Sequence, residues 1–257
     1  MNVLIAGESW ITHSLHIKGV DHFTLSSYGE GVSWLRNALE QDADFRVTHL
    51  PSHLAIDRFP STAGELSAYA VVILSDIGSN SLLLPTATAV ESKRTPNRLR
   101  ALQGFVAAGG GLCMVGGYMS FQGIDAKARY HRTPVEEVLP VRLQAADDRV
   151  ELPEGADPVV LELDHPIVAG IPKVWPAVLG YNQVSAKPGA RTLVECCGDP
   201  LVTVWEYEKG RSMAFATDCA PHWAPPEFLQ WEFYGVFWRQ AIAWLAGDAN
   251  RQRSFGG

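Results

Sequence analysis

Three short apolar runs constrain this chain most. Asn2 to Ala6 stops at Gly7, Ala70 to Leu74 stops at Ser75-Asp76-Ile77-Gly78, and Leu112 to Val115 stops at Gly116-Gly117. Apolar runs this short, without alternation, are buried on both faces, as in a parallel sheet covered by helices. The segments between them read as the helices. Gly31 to Gln41 places Val32, Leu35, Ala38 and Leu39 on one face. Thr62 to Glu65 has the form of a capping box opening a short helix. Thr95-Pro96 predicts an N-cap and a first-turn proline, followed by an apolar face of Leu99, Leu102, Phe105 and Val106 and a stop at Gly109-Gly110-Gly111. Phe45 to Leu50 alternates and adds one more strand. The order βαβαβαβ predicts a parallel sheet with right-handed crossovers. Ligands of such sheets bind beyond the carboxyl ends of the strands.

From Thr133 the pattern changes. Thr133-Pro134-Val135-Glu136 opens a helix, and short β-rich stretches follow at Val159 to Leu163, Thr192 to Cys196, Leu201 to Tyr207 and Ser212 to Thr217. Lys209-Gly210 reads as a hairpin turn between the last two. The chain closes on Leu229 to Leu245, where Leu229, Phe233, Phe237, Ala241 and Trp244 recur at helical spacing. No stretch reads as a linker. Residues 1–247 are expected to form one α/β domain with a β-rich elaboration in the second half, and 248–257 a polar tail. Trp231, Tyr234 and Trp238 fall off the closing helix's apolar stripe. Such a surplus predicts a subunit interface on that helix, and so a homo-oligomer.

Composition removes several classes of function. The 257 residues are 47% hydrophobic and 19% charged, which is globular composition. Net charge is −7, so no basic face is on offer for nucleic acid or an anionic membrane. Met1 to Gly7 lacks a basic n-region and reads as a strand, not a signal peptide. No apolar run approaches the ~18 residues of a membrane-spanning helix. Cys113, Cys196, Cys197 and Cys219 show no zinc-finger spacing, and the adjacent pair is poorly placed to bridge. A reducing, cytoplasmic setting is the expectation. No GxGxxG follows a strand and no Walker A motif occurs, so neither a dinucleotide nor another cofactor is expected.

Gly109 to Phe121 runs from helix stop through buried strand to tight glycine turn, the setting of a nucleophile elbow. Further stretches point the same way: Gly7-Glu8-Ser9-Trp10, His13 to Asp21, Tyr28 to Gly31, Ser75 to Gly78, Gly116-Gly117-Tyr118, His165-Pro166-Ile167 with Gly170-Ile171, and Asp218 to Trp223. On these the chain resembles the class I glutamine amidotransferase superfamily. Over nearly its whole length it is similar to the glutamine amidotransferase-like cytoplasmic proteins, relatives of trehalose-utilisation-type domains. The resemblance implies a flavodoxin-like three-layer α/β sandwich. It also implies a cysteine at the elbow, and there the chain departs. The elbow falls on Gly116 or Gly117, while Cys113 sits inside the strand, where a thiol is buried and inert. The superfamily's His-x-Glu pair is absent as well, since Trp223 and Ala224 follow His222.

The strand ends supply the other candidates. His222 lies where the superfamily places its catalytic histidine, with Asp218 four residues back to orient it for acid–base work. The plainer alternative is a capping Asp218 and a histidine packed under Trp223. Glu8 is a candidate general base, with Ser9 and Trp10 beside it and the indole suited to stacking on a sugar face; the alternative is a loop whose Glu8 accepts backbone N–H groups. Asp76 is either a ligand contact or an ordinary turn residue. Gly116 and Gly117 would let a ligand approach the backbone, with Tyr118 and Trp223 as aromatic walls. His13 and His16 could share a helical turn and a metal, but no HExxH is present; hydrogen bonding within a loop from Gly7 to Asp21 is the plainer reading, and no metal is expected. The leading expectation is one pocket holding Glu8, Trp10, Tyr118 and His222 with Asp218 behind. The expectation is that it binds a small polar or carbohydrate-like molecule, with transformation of that molecule as the further reading. Its rivals are a glutaminase using Cys113 or Cys219, a non-catalytic oligomeric scaffold, and a metal-dependent hydrolase using His13, His16 and Asp218.

Overall fold

The computed structural model describes residues 1–247, so the expected polar tail lies outside the described residues. The first half runs β1 (Asn2–Gly7), β2 (Ser9–Lys18), β3 (Asp21–Glu30), α1 (Ser33–Glu40), β4 (Arg46–Leu50), α2 (Ser52–Arg58), α3 (Ala63–Leu66), β5 (Val71–Ser75), α4 (Ser79–Leu83), α5 (Thr86–Ala89), α6 (Arg98–Ala107) and β6 (Gly111–Val115). The second half runs α7 (Pro134–Val138), β7 (Val141–Arg142), β8 (Arg149–Ala156), β9 (Val159–Val160), β10 (Val178–Asn182), β11 (Ser185–Ala186), β12 (Arg191–Cys196), β13 (Asp199–Tyr207), β14 (Gly210–Phe215), α8 (Pro226–Leu229) and α9 (Tyr234–Leu245).

Eight strands form the main sheet, in the order β4-β1-β5-β6-β14-β13-β12-β9. The five from β4 to β14 are mutually parallel, and β13, β12 and β9 continue antiparallel. The three apolar runs are therefore neighbours at the sheet's centre, and Val3–Ala6, Val71–Leu74 and Leu112–Val115 are fully buried. Helices α6 and α9 both pack on β6 and β14, α6 together with α3 and α7, α9 together with α1. The sheet is covered on both faces, which gives the three-layer α/β sandwich of the class I amidotransferase-like fold.

Local detail differs from the sequence reading in five places. Residues 9–30 are not a loop: β2 and β3 pair from Ser9↔Glu30 to Lys18↔Asp21 across a Gly19-Val20 turn. Gly19, at φ +66°, takes the left-handed conformation that such a turn needs at its first central position. Helix α6 starts at Arg98, because Asn97 Oδ1 accepts the N–H groups of Leu99 and Arg100 and caps the helix two residues beyond Thr95. The strand expected at Val159 to Leu163 shrinks to Val159–Val160, while β8 and β10 form an antiparallel pair that the pattern did not announce. The hairpin turn is Glu208-Lys209, and Gly210 already belongs to β14. The closing helix is two helices, since Pro225-Pro226 opens α8 and the chain breaks before α9. The aromatic surplus on α9 is taken up inside: Trp238 is fully buried against Phe215, Phe237 and Tyr234. Trp231 packs on Trp175 and Phe228.

Candidate functional site

Two residues turn the chain sharply off adjacent strands. Glu8 follows β1 at φ +48° and Asp76 follows β5 at φ +45°. Neither is glycine, so each holds left-handed backbone at a cost of about 1–2 kcal/mol, the kind of local strain that clusters at functional sites. The Glu8 N–H donates to the Ser75 carbonyl at 2.7 Å, and its own carbonyl accepts from Gly31 N–H at 3.1 Å. These bonds fold the Glu8 side chain over the carboxyl edge of the sheet. The turn after β14 brings Asp218, Cys219 and His222 to the same edge, anchored by Thr217 Oγ1 donating to the Gly180 carbonyl.

A cavity of about 210 Å³ opens there, lined by Glu8, Trp10, Asp76, Tyr118, Asp218, Pro221 and His222. One carboxylate oxygen each from Glu8 and Asp218 and the Cys219 sulfur lie within 4.8 Å of one another. Ser75 Oγ donates to Glu8 Oε2 at 2.6 Å. His222 Nδ1 stands 3.4 Å from Asp218 Oδ2. Glu8 and Asp218 are 3% and 5% exposed, so both carboxyls are cut off from bulk water.

Burial dominates the electrostatics. It pushes the Glu8 carboxyl well above its ordinary range, and the charges of Asp218 and Asp76 push the same way, against the Ser75 hydrogen bond. Asp218 is raised by burial and pulled back by His222 and by the Ala220 and Cys219 N–H groups. Asp76 is raised by burial and pulled back by the Met119 N–H, which donates to Oδ1 at 2.7 Å. Among the described residues, no Lys or Arg lines the cavity. Of the three, Asp218 has the imidazole within 3.4 Å, which favours its charged form, whereas Glu8 has only the Ser75 and Cys219 hydrogen bonds to offset its burial.

Neither candidate nucleophile, Cys113 nor Cys219, is suited to attack. Burial drives the Cys219 thiol well above its usual value, with Glu8 and Asp218 adding to the rise. Cys113 is fully buried within β6 and is raised by burial alone. A thiol nucleophile needs the opposite surroundings, electropositive and partly open. Among the described residues, Glu8, Asp218 and Cys219 are the group placed to hold a metal ion. A cation there would have to displace protons that burial retains.

The aromatic walls are fixed from the β-rich half. The Tyr118 ring stands edge-on to His222, centroids 4.3 Å apart, with the Arg149 guanidinium 4.7 Å over its face. Tyr118 Oη and Trp223 Nε1 donate to the two carboxylate oxygens of Glu151 on β8, at 3.1 and 2.9 Å. Asn182 of β10 accepts from Gly117 N–H at 3.0 Å and donates to Asp148, whose carboxylate also takes the N–H groups of Gln122 and Gly123. The elaboration is therefore the frame that holds the loop after β6.

The sequence candidates divide accordingly. Glu8, Trp10, Asp76, Tyr118, Asp218 and His222 meet at the cavity, whereas Ser9, Gly116, Gly117 and Trp223 do not line it. Ser9 ties down α2, accepting from Ser52 N–H and Ser52 Oγ. Trp223 is buried behind His222, rings 5.0 Å apart. The two glycines offer no approach to a ligand: a Cβ on Gly116 would fall 2.2 Å from the Ala216 carbonyl oxygen, and one on Gly117, at φ +145°, 2.9 Å from Asp76 Oδ1. Neighbouring chain already fills the elbow. His13 and His16 lie three apart on a strand, so they point to opposite faces of the β2–β3 hairpin. His13 bonds Ser26 Oγ and His16 stacks on Phe23, and neither joins Asp218. The sequence reading missed Ser75 and Glu151 as partners of the site. Ser75 had only its place at a strand end to mark it, and Glu151 nothing.

Fold and site together define a class I glutamine amidotransferase-like α/β protein with an acidic pocket and no elbow nucleophile. The family model described as "Putative glutamine amidotransferase" matches residues 2–247, and the chain belongs to that family. Among solved structures, cytoplasmic protein STM3548 from Salmonella typhimurium is similar at TM-score 0.92 and 41% identity, over 95% of this chain and 99% of that one. Cytoplasmic protein STM1381 from Salmonella typhimurium LT2 is similar at TM-score 0.91 and 44% identity, with the same coverage. A ThuA-like protein from Parabacteroides merdae shares the fold at TM-score 0.55 and 16% identity, over 95% of this chain and 89% of that one. A comparison with curated proteins finds no match. Among the described residues, no helix is long and apolar enough to cross a membrane.

Proposed function

We propose that the pocket binds a small, uncharged, hydroxyl-rich molecule and performs acid–base chemistry on it without a covalent thiol step. The observation that carries this reading is three largely buried carboxyls gathered around one imidazole in a single cavity. The carboxylate that His222 supports at Asp218 repels an anionic ligand, and among the described residues no Lys or Arg lines the cavity to offset it. A neutral polyol suits the three carboxyls, because its hydroxyls donate to carboxylate oxygens. Trp10 and Tyr118 supply stacking faces, and about 210 Å³ holds roughly seven waters' worth of volume, the size of a monosaccharide. In the reaction His222, oriented by Asp218, removes a proton from the ligand, and protonated Glu8 delivers one to a departing or carbonyl oxygen. The relatives titled cytoplasmic proteins support a cytoplasmic setting for this work.

Calorimetric titration with neutral monosaccharides and polyols tests the proposal, with glutamine and sugar phosphates as controls. Saturable heat from a neutral polyol, lost in Asp218→Asn, is the expected result. Binding confined to anionic ligands overturns it, as does glutamine hydrolysis that a thiol reagent abolishes.

A further inference from the structure

The β2–β3 hairpin is the part of the molecule that the pocket leaves unexplained. Among the described residues it pairs with no other strand, and strands of 10 residues make it a ribbon about 33 Å long. Two-stranded ribbons are marginal alone in water. Both faces of this one carry exposed apolar side chains among polar ones. Trp10, Phe23 and Leu25 stand on one face, Ile11, Leu15 and Ile17 on the other, and Val20 at the tip, exposed by 44% to 97%.

We infer that this ribbon is an association arm whose occupant is a second copy of this chain. The area fits. At on the order of 200 Å² per large side chain, the seven exposures amount to roughly 800 Å², the share that each partner contributes to a stable interface. The charge fits as well. Between Trp10 and Gly29 the charged side chains, histidines aside, are Lys18 and Asp21, which face each other in register beside the tip. The ribbon thus offers no electrostatic hold to nucleic acid or an anionic membrane, and in a chain of net charge −7 it is a surface on which two copies meet with little charge repulsion. A flat partner would cover one face only. A two-fold mate brings both its own ribbon and its body, which can cover two. Trp10 belongs to the ribbon and lines the cavity, so the mate comes to lie beside the pocket mouth.

Sedimentation velocity of the full chain, from micromolar to high micromolar, reads the outcome. A dimer is expected, and Leu15→Lys with Ile17→Lys should weaken it on the order of 100-fold or more while far-UV circular dichroism stays unchanged. A chain that is monomeric throughout overturns the inference, including one that captures vesicles or another protein. So does a dimer that survives the double variant, since its interface then lies elsewhere. Should that variant misfold, a nitroxide on Thr24→Cys in a Cys197→Ser background gives an independent readout: short distances between copies support the arm, and absence of intermolecular coupling overturns it.

Discussion

Helix α9 and the β2–β3 hairpin are the two segments richest in large apolar side chains, and the fold treats them in opposite ways. Phe237, Trp238, Ile242 and Leu245 of α9 are all within 1% of complete burial, whereas Ile11, Leu15 and Ile17 of the hairpin are more than half exposed. The cause is layering. Helix α9 lies on β6 and β14 with α1 alongside, so even its off-stripe Trp238 finds neighbours. A ribbon of two strands has no second layer of its own. A high apolar count leaves side chains exposed only where the element lacks a covering layer, and among the described residues the hairpin is such a place.

Substitutions can break that contrast. Trp238→Ala should cost about 3–5 kcal/mol in denaturant unfolding, the toll of a large core cavity; a cost near zero would mean that α9 is not held as described. Glu8 stands where sheet meets hairpin, and its effect is set by pH. Burial raises its carboxyl above the reference value of 4.5, so the fold binds this proton more tightly than the unfolded chain does. That stability is complete below the ordinary carboxylate range and is lost as pH rises through the raised value. Glu8→Gln cannot ionise, so its melting temperature should fall less with rising pH, opening a gap on the order of a few °C over the parent chain in alkaline buffer. Parallel curves would contradict the buried acid. Cys113→Ala should cost on the order of 1 kcal/mol and leave the fold intact, and rapid modification of native Cys113 by a thiol probe would reopen thiol chemistry. Smallest of all, Ile17→Ser should change unfolding free energy by no more than about 0.5 kcal/mol at dilute concentration, where the ribbon face is bare. A larger loss there would mean that the ribbon is packed even in the monomer.

The sheet was legible because its three central strands are short apolar runs with abrupt stops, a pattern that suits strands buried on both sides. The convergence at its edge was legible for the same reason: parallel strands end on one side, so Glu8, Tyr118 and Asp218 come together although far apart in sequence. Cap chemistry misled by two residues, because Thr95 and Asn97 are both good N-caps and only the fold selects Asn97. The hairpin was illegible. Ile11, Leu15 and Ile17 alternate with polar residues, but the facing strand adds Phe23 and Leu25 to the opposite side, and Gly19-Val20 is not a strong turn pair. Gly116 and Gly117 announced a close approach without saying by what. The answer, a carbonyl from one strand end and a carboxylate from another, is a tertiary fact.

That crowding at the elbow governs how the chain could be altered. A one-codon exchange of Gly116 for cysteine would set the new Cβ 2.2 Å from the Ala216 carbonyl oxygen, and at Gly117 the same exchange would add unfavourable backbone to a collision with Asp76. A cysteine at the elbow, as a glutaminase would need, thus meets backbone at Gly116 and left-handed backbone beside Asp76 at Gly117. An engineer seeking one would first have to move the end of β14 or remove Asp76, and removing Asp76 takes away one of the three carboxyls that give the present pocket its character.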